Sequence, residues 1–166
     1  MQINPYAKYL AGQDPLPILF ATAERLYTHT APLSPEQIDR SPAPSKWSIR
    51  EIVAHLADCE ISFSFRLLQT LAPGPDQPHH VIQPFDQDAW ARHYAAYDLS
   101  SALDLFQAAR NWNLHLLGTV SESDRHRAVT HPERGTMTFW NIVETMAGHD
   151  INHLLQLERI AETAVV

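Results

Sequence analysis

Apolar residues recur at intervals of three and four along four long stretches of this chain, and the pattern breaks between them at prolines and polar runs. In "DPLPILFATAERLYTHTA" the spacing is carried by Leu16, Leu19, Phe20, Ala23, Leu26 and Tyr27; Asp14 can cap, and Pro15 suits a first helical turn. In "WSIREIVAHLADCEISFSFRLLQTL" Ser48 and Glu51 form a capping box ahead of a stripe of Ile52, His55, Leu56, Cys59 and Phe63, which predicts a helix from about Ile49 to about Leu71. A third helix is expected in "SSALDLFQAARNWNLHLLGTV", where Leu103, Phe106, Leu114 and Leu117 share a face and a glycine stands near the end. The fourth, "TFWNIVETMAGHDINHLLQLERIAE", can start at Thr138 and carries Ile142, Met146, His149, His153, Gln156 and Ile160 on one stripe.

The connections differ in kind. "PLSPEQIDRSPAP" is proline-rich, and "APGPDQPHHVIQP" is a loop by its four prolines and its glycine. Behind that loop "FDQDAWARHYAAY" reads as a short amphipathic helix, whereas "SESDRHRAVTHPERGTM" is polar and irregular. No alternating run predicts a sheet, and there is no internal repeat. The pattern is all-α: a four-helix bundle with one short extra helix between its second and third long helices, built as a single domain over 1–166.

Composition narrows what such a bundle does. Twelve Lys and Arg against 19 Asp and Glu give a net charge of -7, so the positive field that nucleic acid rewards is missing. No basic segment followed by a long apolar run opens the sequence, and nowhere do about 18 apolar residues follow one another. A soluble, cytoplasmic protein with neither nucleic-acid nor membrane partner is expected. One cysteine, Cys59, excludes an internal disulfide.

The anomaly is ten histidines. Random placement at that frequency gives roughly half of one i,i+4 pair, so His149 and His153 in "HDINH" mean little by spacing alone. Their position means more, because both project from the face that holds Ile142, Met146 and Ile160 and so point into the bundle. His55 passes the same test on the stripe of Ile52, Cys59 and Phe63. Buried imidazoles need partners for two ring nitrogens each. Three inward histidines either find those partners within the core or hold a divalent metal with positions left open, and spacing does not choose.

Neighbouring residues divide in the same way. Asp58, at i+3 from His55, can lean toward the site as a proton acceptor or serve structure alone, while Glu60 is rotated away and reads as solvated or as a partner for Arg66 or another helix. Cys59 would suit a soft ion but reads better as a small buried residue. A metalloprotease reading of "HDINH" fails: Asp150 is one methylene short of the required glutamate, and the third ligand would come from a helix nearly 100 residues upstream. Asp150 then lies on the helix surface or orients a histidine. His79, His80 and His131 sit beside prolines and are expected at the surface; Gln156 and Arg110 are candidates by helix position only.

Several stretches resemble one family. "PSKWSIREIVAHLADCE" is similar to the Trp-Ser…His-Leu-x-Asp-x-Glu segment of the DinB superfamily, the DinB-like or YfiT-like metalloenzymes. "HPERGTMTFWNIVETMAGHDINHLLQLERI" resembles its second signature, and "FDQDAWARHY" its linker helix. The resemblance implies a four-helix bundle of up-down-down-up order, commonly a homodimer, and metal ligands at His55, His149 and His153. It further implies a divalent transition metal, often nickel or zinc, and either a metal-dependent hydrolase or thiol S-transferase using low-molecular-weight thiols, or a non-catalytic metal-containing stress or binding protein. Ligand histidines must be neutral, so release of the metal is expected as pH falls below about 6. The loop "PGPDQPHHVIQPFDQDAW" is expected to wall the pocket and carry specificity.

Overall fold

Asp14, Ser48, Asp98 and Thr138 each open one of the four long helices. The computed structural model describes residues 3–74 and 77–164, with side chains through 162. Its elements are α1 (Ala7–Leu10), α2 (Pro15–Thr30), α3 (Pro35–Asp39), α4 (Ile49–Leu71), α5 (Gln87–Ala91), a 3₁₀ turn (Tyr94–Ala96), α6 (Leu99–Leu117), α7 (Glu122–Arg125), a hairpin of β1 (Ala128–His131) and β2 (Gly135–Thr138), and α8 (Phe139–Ala164). Asp14 accepts from the Leu16 N–H, Ser48 and Glu51 form the capping box, and Asp98 accepts from the Ser101 N–H. At α8 the Asn141 N–H donates to Thr138 Oγ1 while Asn141 Oδ1 accepts from the Thr138 N–H. Local caps therefore set the starts that the apolar spacing predicts.

The chain order follows from two apolar clusters. One joins Ala23 and Leu26 late in α2 to Ile49–Ala57 early in α4, Ala102–Phe106 early in α6, and Leu154–Ile160 late in α8. The other joins Leu19 to Phe63 and Leu67 late in α4, Leu117 at the end of α6, and Phe139–Ala147 early in α8. Hence α2 and α8 run one way and α4 and α6 the other, the up-down-down-up bundle. A parallel α4–α6 pair requires its connection to travel the full bundle length, which is why residues 72–98 form the longest link. Among the described residues no helix is long and apolar enough to cross a membrane.

Two expectations need correction. The segment read as irregular holds the antiparallel hairpin, in register from Ala128↔Thr138 to His131↔Gly135. Each strand has four residues, with Val129, His131 and Met137 buried, too few alternations to stand out in the sequence. The connecting loop adds to its edge, since the Ile82 N–H donates to the Thr130 carbonyl at 2.8 Å and the Thr130 N–H to the His80 carbonyl at 2.9 Å. On α2, Phe20 and Tyr27 are exposed, outside the buried arc of Leu19, Ala23 and Leu26.

Candidate metal centre

His55 enters the bundle from α4, and His149 and His153 enter one turn apart on α8. All three are buried, at 1%, 4% and 6% exposure. Their ring centres lie 5.2 Å (His55–His149), 4.9 Å (His55–His153) and 4.5 Å (His149–His153) apart. Imidazoles bound tetrahedrally to one ion through bonds of about 2.0–2.1 Å would have ring centres about 5 Å apart, so the spacing fits three rings around a common point.

The ring nitrogens agree for His55 and His149, whereas His153 joins them by ring spacing alone. His55 Nδ1 lies 3.1 Å from the Tyr94 hydroxyl and its Nε2 3.1 Å from His149 Nε2. His153 Nδ1 lies 3.1 Å from Gln156 Oε1, an acceptor, which puts the hydrogen on Nδ1 and the lone pair on Nε2. His149 Nδ1 is buried with no hydrogen-bond partner among the described residues. The cluster is thus short of partners for its nitrogens, and a cation is the group that accepts several lone pairs at once.

Burial keeps the rings neutral. It pushes His55 down to about 3, with the neighbouring His153 adding to the effect, and His153 down to about 4, which its bond to Gln156 partly opposes. His149 is held well below the ordinary range by burial, then by His153, His55 and the guanidinium groups of Arg110 and Arg66. A site of neutral imidazoles is ready to bind a metal without first losing protons.

Cys59 stands closer than the sequence indicated. Donor atoms of His55, Cys59 and His149 all lie within 4.8 Å of one another, a group that does not take in His153. Yet the Cys59 Sγ is 3.5 Å from Nε2 and 3.8 Å from Nδ1 of His55, which places sulfur beside the ring rather than along the outward lone pair of either nitrogen. Burial raises its thiol well above the usual range, so it is a neutral thiol flanking the rings.

His55 and His149 form part of the wall of a cavity of about 170 Å³ shared with Tyr6, Phe63, Arg66, Phe85, His131 and Arg134. Trp47 closes the other side, 4.7 Å from the His55 ring and stacked at 6.3 Å on His153. Tyr6 reaches His149 edge-on at 5.1 Å because Gly148 lets the N-terminal segment lie against α8: a Cβ there would stand 2.7 Å from Tyr6 Cβ and 2.8 Å from its carbonyl oxygen. Gly148→Ala should therefore cost about 1–3 kcal/mol and free Tyr6 from the cavity wall. A thermal melt within a degree of the parent would contradict that close approach.

Other residues fall differently. Asp58 lines outward cavities with Ile61, Trp90 and Tyr97 and is not among the residues that line the histidine cavity. The reason is rotational: Cys59 and Phe63 continue the inward line from His55, and Asp58 lies to its other side. Asp150 and Glu60 are not solvated; both are buried and share Arg110, and the carboxyl of Asp150 meets Thr22 rather than a histidine. His131, expected at the surface, is buried on the hairpin and lines the cavity, while His79 is exposed. Spacing could not find Tyr6, His131 or Arg134, which arrive from segments without helical period.

With this geometry in hand, the pattern of the DinB superfamily matches residues 19–157. The chain belongs to the DinB superfamily. It is 31% identical over 132 residues to an Oceanobacillus iheyensis protein named "Putative metal-dependent hydrolase", which covers 78% of this chain and 74% of that one. It is also 24% identical over 132 residues to YfiT of Bacillus subtilis, which carries the same name, across 78% of this chain and 72% of that protein. The solved structure of YfiT, described as an unusual four-helix bundle topology, matches with a TM-score of 0.74 at 24% identity over 87% of this chain and 84% of that one. That likeness is one of fold. Within the DinB fold, the long α4–α6 connection and the hairpin before α8 are what roof the histidines.

Proposed function

We propose that this DinB-superfamily chain is a metal-dependent enzyme of hydrolase or thiol S-transferase type, with His55, His149 and His153 as ligands of a divalent ion, nickel or zinc. The supporting observation is three buried, neutral imidazoles with mutual ring spacings of 4.5–5.2 Å beside a cavity. Names of relatives such as the Oceanobacillus protein agree with metal dependence. A divalent ion on neutral ligands keeps its full charge and lowers the pKa of a water or thiol that enters its open positions.

The chain's own residues do the rest. Tyr94 and Gln156 hold the Nδ1 atoms of His55 and His153 and so orient both rings, and Gln156 Oε1, as an acceptor, favours the Nδ1–H form of His153. Trp47 and Phe63 exclude water from the rings, and the thiol of Cys59 fills space beside His55 without adding charge.

Metal analysis of protein purified without an affinity tag tests the ligand set. The parent should carry about one divalent ion per chain, and His153→Ala or His55→Ala should lose at least about 100-fold in affinity, since even residues that only orient ligands are worth 10–100-fold. Metal-free parent protein, with melting unchanged in His153→Ala, would sink the ligand set. Equal turnover of an ester panel and of thiol plus electrophile by the metal-loaded parent and His55→Ala would argue against catalysis through the ion.

A further inference from the structure

Arg66 and Arg134 are the unexplained charges of the cavity. Arg25, Arg50, Arg110, Arg125 and Arg127 all pair with carboxylates, yet neither of these two has an ion-pair or side-chain hydrogen-bond partner among the described residues. Both are half-buried. Arg66 lies over the rings of Phe63 at 5.7 Å and Phe85 at 5.6 Å, contacts that offer its N–H groups no oxygen acceptor. Burial lowers the pKa of Arg66 first of all, and Arg134 is close enough to disfavour its charge further.

Partly desolvating a guanidinium without a counter-charge is unfavourable, and a bound oxyanion would offset that cost. The remaining charge in the cavity does not supply one. His131 is kept neutral by burial and by Arg134 and Arg66, and the one carboxylate, Glu133, is exposed at the rim. A chain of net charge -7 has thus concentrated unpaired positive charge beside its histidines. At about 170 Å³ the cavity is smaller than the roughly 300–1,000 Å³ of sites for drug-sized ligands, so its occupant is a small metabolite.

We propose that the substrate carries a carboxylate or phosphate at the end opposite its reacting group, and that Arg66 and Arg134 hold this oxyanion while the reacting group faces the histidines. This rests on the metal-centre reading for the reacting end, whereas the arginine end is independent of it. Specificity then comes from α4, which supplies Arg66, together with the loop and the hairpin, which supply Phe85 and Arg134.

Three thiol probes of matched length test it by isothermal titration in a buffer without competing anions: 3-mercaptopropionate, 2-mercaptoethylphosphonate and neutral 3-mercapto-1-propanol. The metal-loaded parent should bind the better anionic probe about tenfold or more tightly than the neutral one. That ratio should fall toward one in Arg66→Gln and in Arg134→Gln, and recover in part in Arg66→Lys, with metal content and melting temperature unchanged. Whichever anionic probe binds tighter identifies the oxyanion. Equal affinity for charged and neutral probes, no measurable binding of either anion, or a preference that survives both glutamine variants would overturn the proposal. The same ratio read on chelator-treated protein separates the two readings: failure of the metal centre removes metal uptake and leaves the arginine-dependent preference in place.

Discussion

Replacing Arg110 with methionine should destabilise the fold by about 3–5 kcal/mol, read as a lower urea midpoint, because it strands two carboxylates in the core. The guanidinium donates from Nε and Nη2 to both oxygens of Glu60, each at 2.8 Å, and from Nη1 to Asp150 at 2.7 Å and to the Leu19 carbonyl at 2.9 Å. Asn113 adds a bond to Glu60 and Thr22 one to Asp150, so α2, α4, α6 and α8 all meet at this point. Burial opposes the charge on Arg110, but Asp150 and Glu60 outweigh it and its pKa is raised. For Asp150 burial prevails over Arg110, and its carboxyl is pushed up. Without Arg110 both anions lose their counter-charge and keep only the single hydrogen bonds from Asn113 and Thr22. Combining Arg110→Met with Glu60→Gln and Asp150→Asn should recover much of the loss, since neutral groups cost less to bury than unpaired charges. A single variant within 1 kcal/mol of the parent would mean that water reaches the network.

That network also marks where sequence reading stops. A helical stripe assumes one buried face, and for His55, His149 and His153 this was enough to bring three residues from two helices to one place. But α4 packs against both α6 and α8, so its buried arc is wider than one stripe and takes in Glu60, five positions beyond His55. Arg110 was visible only as a polar residue on a helix; its partners lie 40 and 50 positions away, and pairing at that range leaves no local trace. The ends of the long helices were legible because caps such as Ser48 with Glu51 are local chemistry. The roof was not. Arg134 and His131 reach the cavity through a hairpin of two four-residue strands, and Tyr6 through a close approach to Gly148, each determined by tertiary contact rather than by period.

Acid should unfold the metal-free protein steeply between about pH 6.5 and 4, and the sign follows from the three histidines. In the unfolded chain each titrates near 6.5, whereas in the fold His55 is pushed down to about 3, His153 to about 4 and His149 well below its usual range, all primarily by burial. Across that window the unfolded state binds protons that the folded state refuses, so the stability present above pH 6.5 is lost as pH falls toward the folded values. Each histidine contributes a slope of about 1.4 kcal/mol per pH unit, and three acting together approach about 4, which over two units rivals the whole stability of a typical domain. Asp150 works the other way, because its raised pKa lets the fold take up that proton first, but it is one group against three. Metal release is then not the simple protonation near pH 6 that ordinary histidines imply. Imidazoles that stay neutral in the fold compete weakly for protons, so a bound ion should persist until the bundle opens. Circular dichroism at 222 nm and a metal indicator, followed together from pH 8 to 3, should show one coincident transition, and His153→Gln should flatten the acid slope of the metal-free protein by about a third. Loss of metal near pH 6 with helix content intact would mean that water already reaches the rings, and that burial is not what holds them neutral.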